Sequence, residues 1–429
     1  MRKTPKSLRL QLGLFGRTNI GKSTFLNMVA GQDVSITSSV AGTTTDVVEK
    51  SMELLPVGPV VFLDTAGVDD KSELSSLRLA KTRKIFDRAD IIILIVEANV
   101  WSDFERAVVS EAEKRNTSLI IAINKVDQKK PKKDFIERVK KYADFYLLVS
   151  SIDIENRDKY VNLLKSYLIK SCPDDFINPP SLVGDLLPEA GLATLIVPID
   201  LEAPKGRIIL PQVQTIRDCL DHKQMALVVK ESQYPHSLDR LKNNPDLVIC
   251  DSQVVSFMVK NTPDKVNCTT FSIVFSRNKG DLIEEVKATV TIDSLESGDK
   301  VLIAEACSHH PIEDDIGRIK IPKWLKQYTK KDIKIDSCAG RDYPDDLSKY
   351  KLIIHCGGCM ITRREKLFRI QKAKEQNVAL TNYGLAISHL QGVLERVLSP
   401  FPKAQEAYQE EKAEARNANK NRPRFMEKK

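Results

Sequence analysis

The run Gly16-Arg-Thr-Asn-Ile-Gly-Lys-Ser23 sets two glycines, a lysine and a hydroxyl at the spacing G-x-x-x-x-G-K-S. Backbone N–H groups of such a loop wrap phosphates, aided by the positive end of the helix that follows. Lys22 would reach the β- and γ-phosphates, and the Ser23 hydroxyl would bind magnesium. Three further signals follow in order. Asp64-Thr-Ala-Gly67 offers a carboxylate to magnesium through water and a glycine N–H to the γ-phosphate. Asn124-Lys125-Val-Asp127 offers, at Asp127, acceptors for guanine N1–H and its exocyclic amine, a donor pair adenine lacks. Ser150-Ser151 can close over the base. NKVD alone is a common tetrapeptide, but four elements in this order select GTP. The expected nucleotide contacts are Gly16, Asn19, Ile20, Gly21, Lys22, Ser23, Thr24, Asp64, Gly67, Asn124, Lys125, Asp127, Ser150 and Ser151.

A second set of chemistry-bearing residues lies far downstream. The first cysteine is Cys172, and Cys307-Ser-His309 and His355-Cys356-Gly-Gly-Cys359 each follow an apolar run. In a parallel sheet, ligands bind beyond the carboxyl ends of strands, so the two segments can converge. Gly357 and Gly358 would let the backbone fold closely around a metal. Thiolates favour zinc or iron–sulfur clusters and imidazoles accept either, so ligand type does not choose between them. Cys172, Cys219, Cys250, Cys268 and Cys338 lack such partners and read as small buried hydrophobes. His222, His236, His310 and His389 read as structural, with His310 held in reserve beside the site.

These residues need elements to position them. Apolar runs at 10–15, 60–64, 90–96, 119–123 and 145–149 alternate with helical patterns at 75–86, 104–115, 133–142 and 159–170. That alternation signals a parallel sheet covered by helices. The prolines of CPDDFINPP then mark a linker. The second half repeats the pattern, with strands expected at 193–199, 225–229, 247–250, 270–275, 301–306, 333–336 and 352–355. Helices are expected there at 281–292, 363–376 and 385–398. From Lys403 the chain is polar and mixed in charge, which reads as a frayed helix or disordered tail. Against 58 acidic side chains stand 66 basic ones, an excess too mild for a dedicated nucleic-acid binder. The basic stretch 129–141 reads as a solvated helix face. No apolar run approaches the ~20 residues that cross a bilayer, and no secretory signal is legible. The expectation is a cytoplasmic protein with neither membrane nor nucleic acid as partner.

On the GTP motifs, residues 8–170 resemble the TrmE/Era-like branch of the translation-factor GTPases. The resemblance implies that Gly42-Thr43-Thr44 belongs to switch I, with Thr43 or Thr44 completing the magnesium shell. It implies that Asn19 helps hold potassium in place of an arginine finger. The catalytic set is then Lys22, Asn19, Thr43, Thr44 and Gly67. Val68 stands where Ras-like enzymes carry a water-orienting glutamine, so intrinsic hydrolysis is expected to be slow or to use another charge stabiliser.

Adding the C-x-H…H-C-x-x-C pattern and the stretches VPIDLEAPKGR (197–207) and LPQVQTIR (210–217), the chain resembles the FeFe-hydrogenase maturation GTPases, the HydF family, over residues 8–398. The fold implied is α/β: an N-terminal P-loop GTPase domain (8–172), then two further α/β domains for dimerisation (185–275) and iron–sulfur cluster binding (276–400), with a charged tail (403–429). The resemblance implies a 4Fe-4S cluster on Cys307, Cys356 and Cys359 with an exchangeable fourth position, for which His309 and His355 are candidates. It implies a homodimeric scaffold that takes a transient diiron precursor from radical-SAM maturases of the HydE and HydG type and passes it to the hydrogenase apoprotein. The residues alone reach a GTPase with a thiolate metal site. The competing reading is an RNA-directed GTPase, of tRNA-modification or ribosome-assembly type, with structural zinc; a third is a redox sensor regulating hydrolysis.

Overall fold

The computed structural model describes residues 4–31, 48–64, 82–199, 206, 208–307, 315–340 and 342–420. It divides into two compact units, Met1–Pro179 and Pro180–Lys429.

The first unit is built on strands whose side chains are apolar on both faces. In β4 (Ile91–Glu97) all of Ile91 to Val96 are buried, as a strand inside a parallel sheet requires. With β1 (Leu10–Phe15), β2 (Val48–Leu54), β3 (Gly58–Asp64), β5 (Ser118–Asn124) and β6 (Phe145–Leu148) it forms a six-stranded sheet in the order β2-β3-β1-β4-β5-β6. Only β2 runs antiparallel, against β3 at the edge. Its sequence VEKSMEL mixes polar and apolar residues, which suits an edge strand rather than a central one. Helices Lys22–Ala30 and Arg157–Ser171 pack with one face of the sheet, and Asp103–Lys114 and Lys133–Tyr142 with the other. Helix Asp103–Lys114 starts at a capping box, in which the Ser102 backbone N–H donates to Glu105 at 2.6 Å. Of the helix expected at 75–86, residues 82–86 are helical and the rest lie outside the described residues. Parallel strands bring the carboxyl ends of β1, β3 and β5 to one edge, where Gly16, Asp64 and Asn124 stand.

The second unit holds two parallel four-stranded sheets. The first, ordered β10-β9-β7-β8, comprises β7 (Leu192–Ile196), β8 (Met225–Val229), β9 (Leu247–Cys250) and β10 (Asn267–Thr270). The second, ordered β12-β11-β13-β14, comprises β11 (Lys300–Ala304), β12 (Lys334–Cys338), β13 (Leu352–His355) and β14 (Ala379–Asn382). One hydrophobic core runs through both, from Leu182 to Tyr408.

Three expectations are corrected. The strand expected at 270–275 ends at Thr270, whose hydroxyl accepts from the Ile273 N–H at 3.3 Å and starts the helix Phe271–Lys279. The helix expected at 385–398 is two, Tyr383–Leu390 and Leu394–Val397, separated at Gly392, which adopts φ 72°. The tail, read as a frayed helix or disordered, is largely the helix Pro402–Lys420 and is packed rather than frayed at its start, with Ala404, Ala407 and Tyr408 buried. Its polar composition hides a stripe of small and aromatic residues; 421–429 lie outside the described residues. Among the described residues no helix is long and apolar enough to cross a membrane.

Candidate functional site

At the end of β1 the chain turns through residues 16–21 into the helix Lys22–Ala30. Gly21 adopts φ 95°, and a Cβ there would stand 2.6 Å from the Asn124 amide nitrogen, so this position needs glycine. Lys22 Nζ reaches back to the carbonyls of Gly16 and Arg17 at 2.8 and 3.0 Å, spanning the loop. Asn19, at φ 62°, is exposed, as are Ser23 and Thr24. Ile20 and Asp64 are buried.

The neighbouring loops are tied to this one. Asn124 donates to the Ile20 carbonyl at 2.9 Å and accepts from the N–H and hydroxyl of Ser151 at 3.1 and 2.9 Å. Lys125 Nζ donates to the Asn19 carbonyl at 2.9 Å. Asp127 is exposed beside them, and the Ser150 hydroxyl is buried without a hydrogen-bond partner among the described residues. The described part of the site is thus an exposed rim of donors and hydroxyls on a cross-linked base. Thr43, Thr44 and Gly67 lie outside the described residues.

In the second unit, Ala304 and His355 are opposite each other in β11 and β13, and Cys338 faces Ala304 from β12. Cys307 lies just beyond β11 and Cys356 just beyond β13. The Ala306 N–H donates to Cys356 Sγ at 3.1 Å, linking the two loops. Burial pushes the Cys307 thiol up to about 12, and the neighbouring Cys356 and Cys359 add to the shift. Burial likewise raises Cys359 to about 11, with Cys356 adding and Lys279 opposing. Cys356 and Cys359 share a loop where Gly358 adopts φ 72° and Gly357 packs against Ser272, while Cys307 lies on the neighbouring loop after β11.

The surroundings suit a metal group. The buried Tyr383 hydroxyl has no hydrogen-bond partner among the described residues, and a Cβ on Gly317 would collide with it. Burial raises its pKa well above the ordinary value, with Cys356, Glu305, Asp315 and Cys307 contributing. A buried donor among thiols and carboxylates, a glycine-rich turn and a soft donor set fit a thiolate-bound group. Among the described residues no three His, Cys, Asp or Glu side chains stand close enough together to hold a metal ion. His309 lies outside them.

His355 is fully buried, and both its nitrogens are engaged. Nε2 faces the Arg369 guanidinium at 3.1 Å, so it must accept, and Nδ1 then donates to the Cys356 carbonyl at 2.7 Å. In this arrangement His355 has no lone pair for a metal. Arg369, Tyr383 and Lys279 were not singled out from sequence. The one available signal was a lysine just before Gly280 at a helix end.

Comparison with known families now adds to this geometry. A family model described as 50S ribosome-binding GTPase matches residues 11–125. Models for the hydrogen maturase F dimerization and tetramerization domains match residues 182–280 and 283–400. The chain is of the hydrogen maturase F (HydF) type. It is also 28% identical over 168 residues to GTPase Der of Wolinella succinogenes, covering 38% of this chain and 35% of that one. It is 30% identical over 168 residues to tRNA modification GTPase MnmE of Prochlorococcus marinus, covering 38% and 34%. With GTPase Era of Glaesserella parasuis it shares 28% over 182 residues, covering 40% and 60%. The chain thus spans about a third of the length of the Der and MnmE relatives. A crystal structure of Aquifex aeolicus Era, 20% identical, aligns with a TM-score of 0.31 over 53% of this chain and 97% of that one. The N-terminal unit carries a GTPase domain, and the second carries domains named for oligomerisation.

Proposed function

We propose that this chain is a GTP-hydrolysing scaffold that carries an iron–sulfur cluster and assembles or delivers the diiron subcluster of FeFe-hydrogenase. The observation that supports this reading is that the loops carrying Cys307 and Cys356 leave neighbouring strands at the carboxyl edge of one parallel sheet and are linked by the Ala306 N–H to Cys356 Sγ, in a chain that also holds a GTPase domain. The Gly16–Thr24 loop would wrap the phosphates, with Lys22 as counter-charge and Ser23 and Asp64 holding magnesium. Asn19 would help hold potassium. Both cations would offset charge on the transferring phosphoryl group. Asp127, with Ser150 and Ser151 alongside, would recognise guanine. The roles of Thr43 and Thr44 rest on the family resemblance alone, and that of Gly67 on the sequence motif.

Cys307, Cys356 and Cys359 would hold the 4Fe-4S cluster, which when bound supplies an iron open to exchange. His309 remains the imidazole candidate for that position; His355 orients the loop instead. The diiron precursor is cargo, received from radical-SAM maturases of the HydE and HydG type and passed to the hydrogenase apoprotein by an oligomer of this chain.

Anaerobic purification with metal analysis and visible spectroscopy tests the reading. The expected result is brown protein containing iron and sulfide. That chromophore should be lost in Cys307→Ser, Cys356→Ser and Cys359→Ser and kept in Cys338→Ser. Lys22→Ala should suppress GTP turnover and leave the chromophore intact. Colourless, zinc-bearing protein would overturn the scaffold reading in favour of an RNA-directed GTPase.

A further inference from the structure

Lys279 ends the helix Phe271–Lys279, and only 4% of it is exposed. Its ammonium donates to three backbone carbonyls of a single loop: Gly358 at 3.3 Å, Cys359 at 3.1 Å and Ile361 at 2.8 Å. These use all three of its N–H donors. Its charge is not matched in the same way. Two other buried cations near this loop have carboxylate partners, Lys366 with Glu285 at 3.1 Å and Arg369 with Glu365 at 3.0 Å. Among the described residues Lys279 forms no ion pair, and its partners are neutral carbonyls. A buried charge is costly unless an opposite charge accompanies it. The loop it grips carries Cys359 and, across two glycines, Cys356.

We infer that Lys279 is a built-in counter-cation for an anionic thiolate-bound cluster, a positioning residue that fixes loop 356–361 and offsets the charge the thiolates bring. The inference rests on the cluster reading above and deepens it. It also joins the two oligomerisation domains, since Lys279 lies in the segment matched at 182–280 and its loop in that matched at 283–400. Outer partners of this kind orient metal ligands and tune the group they hold. A fixed positive charge favours the more negative, reduced state, so its removal should move the reduction potential downward.

The test compares the reconstituted full-length protein with Lys279→Gln, Lys279→Met and Lys279→Arg. It reads iron release to a chelator, reduction potential and the electron paramagnetic resonance spectrum, with circular dichroism and elution volume reporting folding. Wild-type protein that takes up no iron and sulfide defeats the cluster reading itself. Given uptake by wild type, whichever neutral variant folds should release iron about tenfold faster. It should also show a more negative potential, and Lys279→Arg should stay near wild type on both counts. Neutral variants that fold and match wild type in release and potential overturn the inference. Folding lost in both neutral variants also overturns it, because Lys279 would then be a plain structural staple.

Discussion

Both ends of the Asn124 amide are used, one on the phosphate loop through Ile20 and the other on Ser151, so the base-facing loop is held to the phosphate cradle. Asp127 stands three residues further on, exposed and available to the guanine edge. Asp127→Asn would set a donor against guanine N–H groups. The lost charge-assisted bond costs roughly 1.5–3 kcal/mol, about tenfold to a hundredfold in GTP affinity by calorimetry. Xanthosine triphosphate, with a carbonyl in place of the 2-amino group, should recover part of that loss. Unchanged GTP affinity would remove Asp127 from the base contact. Motif residues such as Gly21 and Lys22 were legible because their chemistry demands one residue type at one spacing. Partnerships across the chain were not. His355 looked like a ligand because the histidine beside C-x-x-C is visible in sequence, whereas Arg369, which occupies its Nε2, comes from the following helix. Lys279 was hidden for the same reason.

Among elements, long apolar strands such as β4 declared themselves, while four-residue β14 is too short to show any period. That the helix Pro402–Lys420 packs on the core was not legible, because composition weighs every residue equally and burial does not. Its Tyr408 hydroxyl meets His389 Nδ1 at 2.8 Å, and His389 Nε2 donates to Asp293 at 2.9 Å. Asp293 also accepts from the Tyr328 hydroxyl at 2.7 Å. Burial alone would raise the Asp293 carboxyl, but hydrogen bonds from His389 and Tyr328, with charge from His389 and Lys412, hold it below its ordinary 3.8. A carboxyl depressed in the folded state stabilises above its unfolded pKa and loses that contribution as pH falls through the folded value. Urea midpoints of the second unit should therefore fall as acid is added below about pH 4. Asp293→Asn should flatten that limb and cost about 1 kcal/mol at neutral pH, a modest figure because the carboxylate is partly exposed. An unchanged acid limb in the variant would place the titrating group elsewhere.

At the scale of the whole molecule, β8 stands at one edge of its sheet in the second unit. Among the described residues β8 pairs only with β7, and its residues include exposed Met225 and Val228, at 54% and 41%. Val213 and Leu220 of the helix Leu210–Asp221 are exposed as well, at 42% and 59%. An open strand edge with apolar neighbours is a liability unless another strand or surface covers it. Because the hydrogen maturase F dimerization model matches 182–280, the occupant we expect is the same strand of a second copy. Met225→Lys combined with Val228→Lys would place two charges per protomer in that junction. Burying each apolar side chain is worth about 1.5–3 kcal/mol, so their loss alone should weaken association at least a hundredfold. The segment 283–400 matches a separate tetramerization model, so one broken interface should halve the assembly rather than scatter it. Sedimentation at matched concentration should therefore give half the wild-type mass, with GTP turnover retained by the first unit. A double variant that sediments like wild type would show that β8 is not where copies meet.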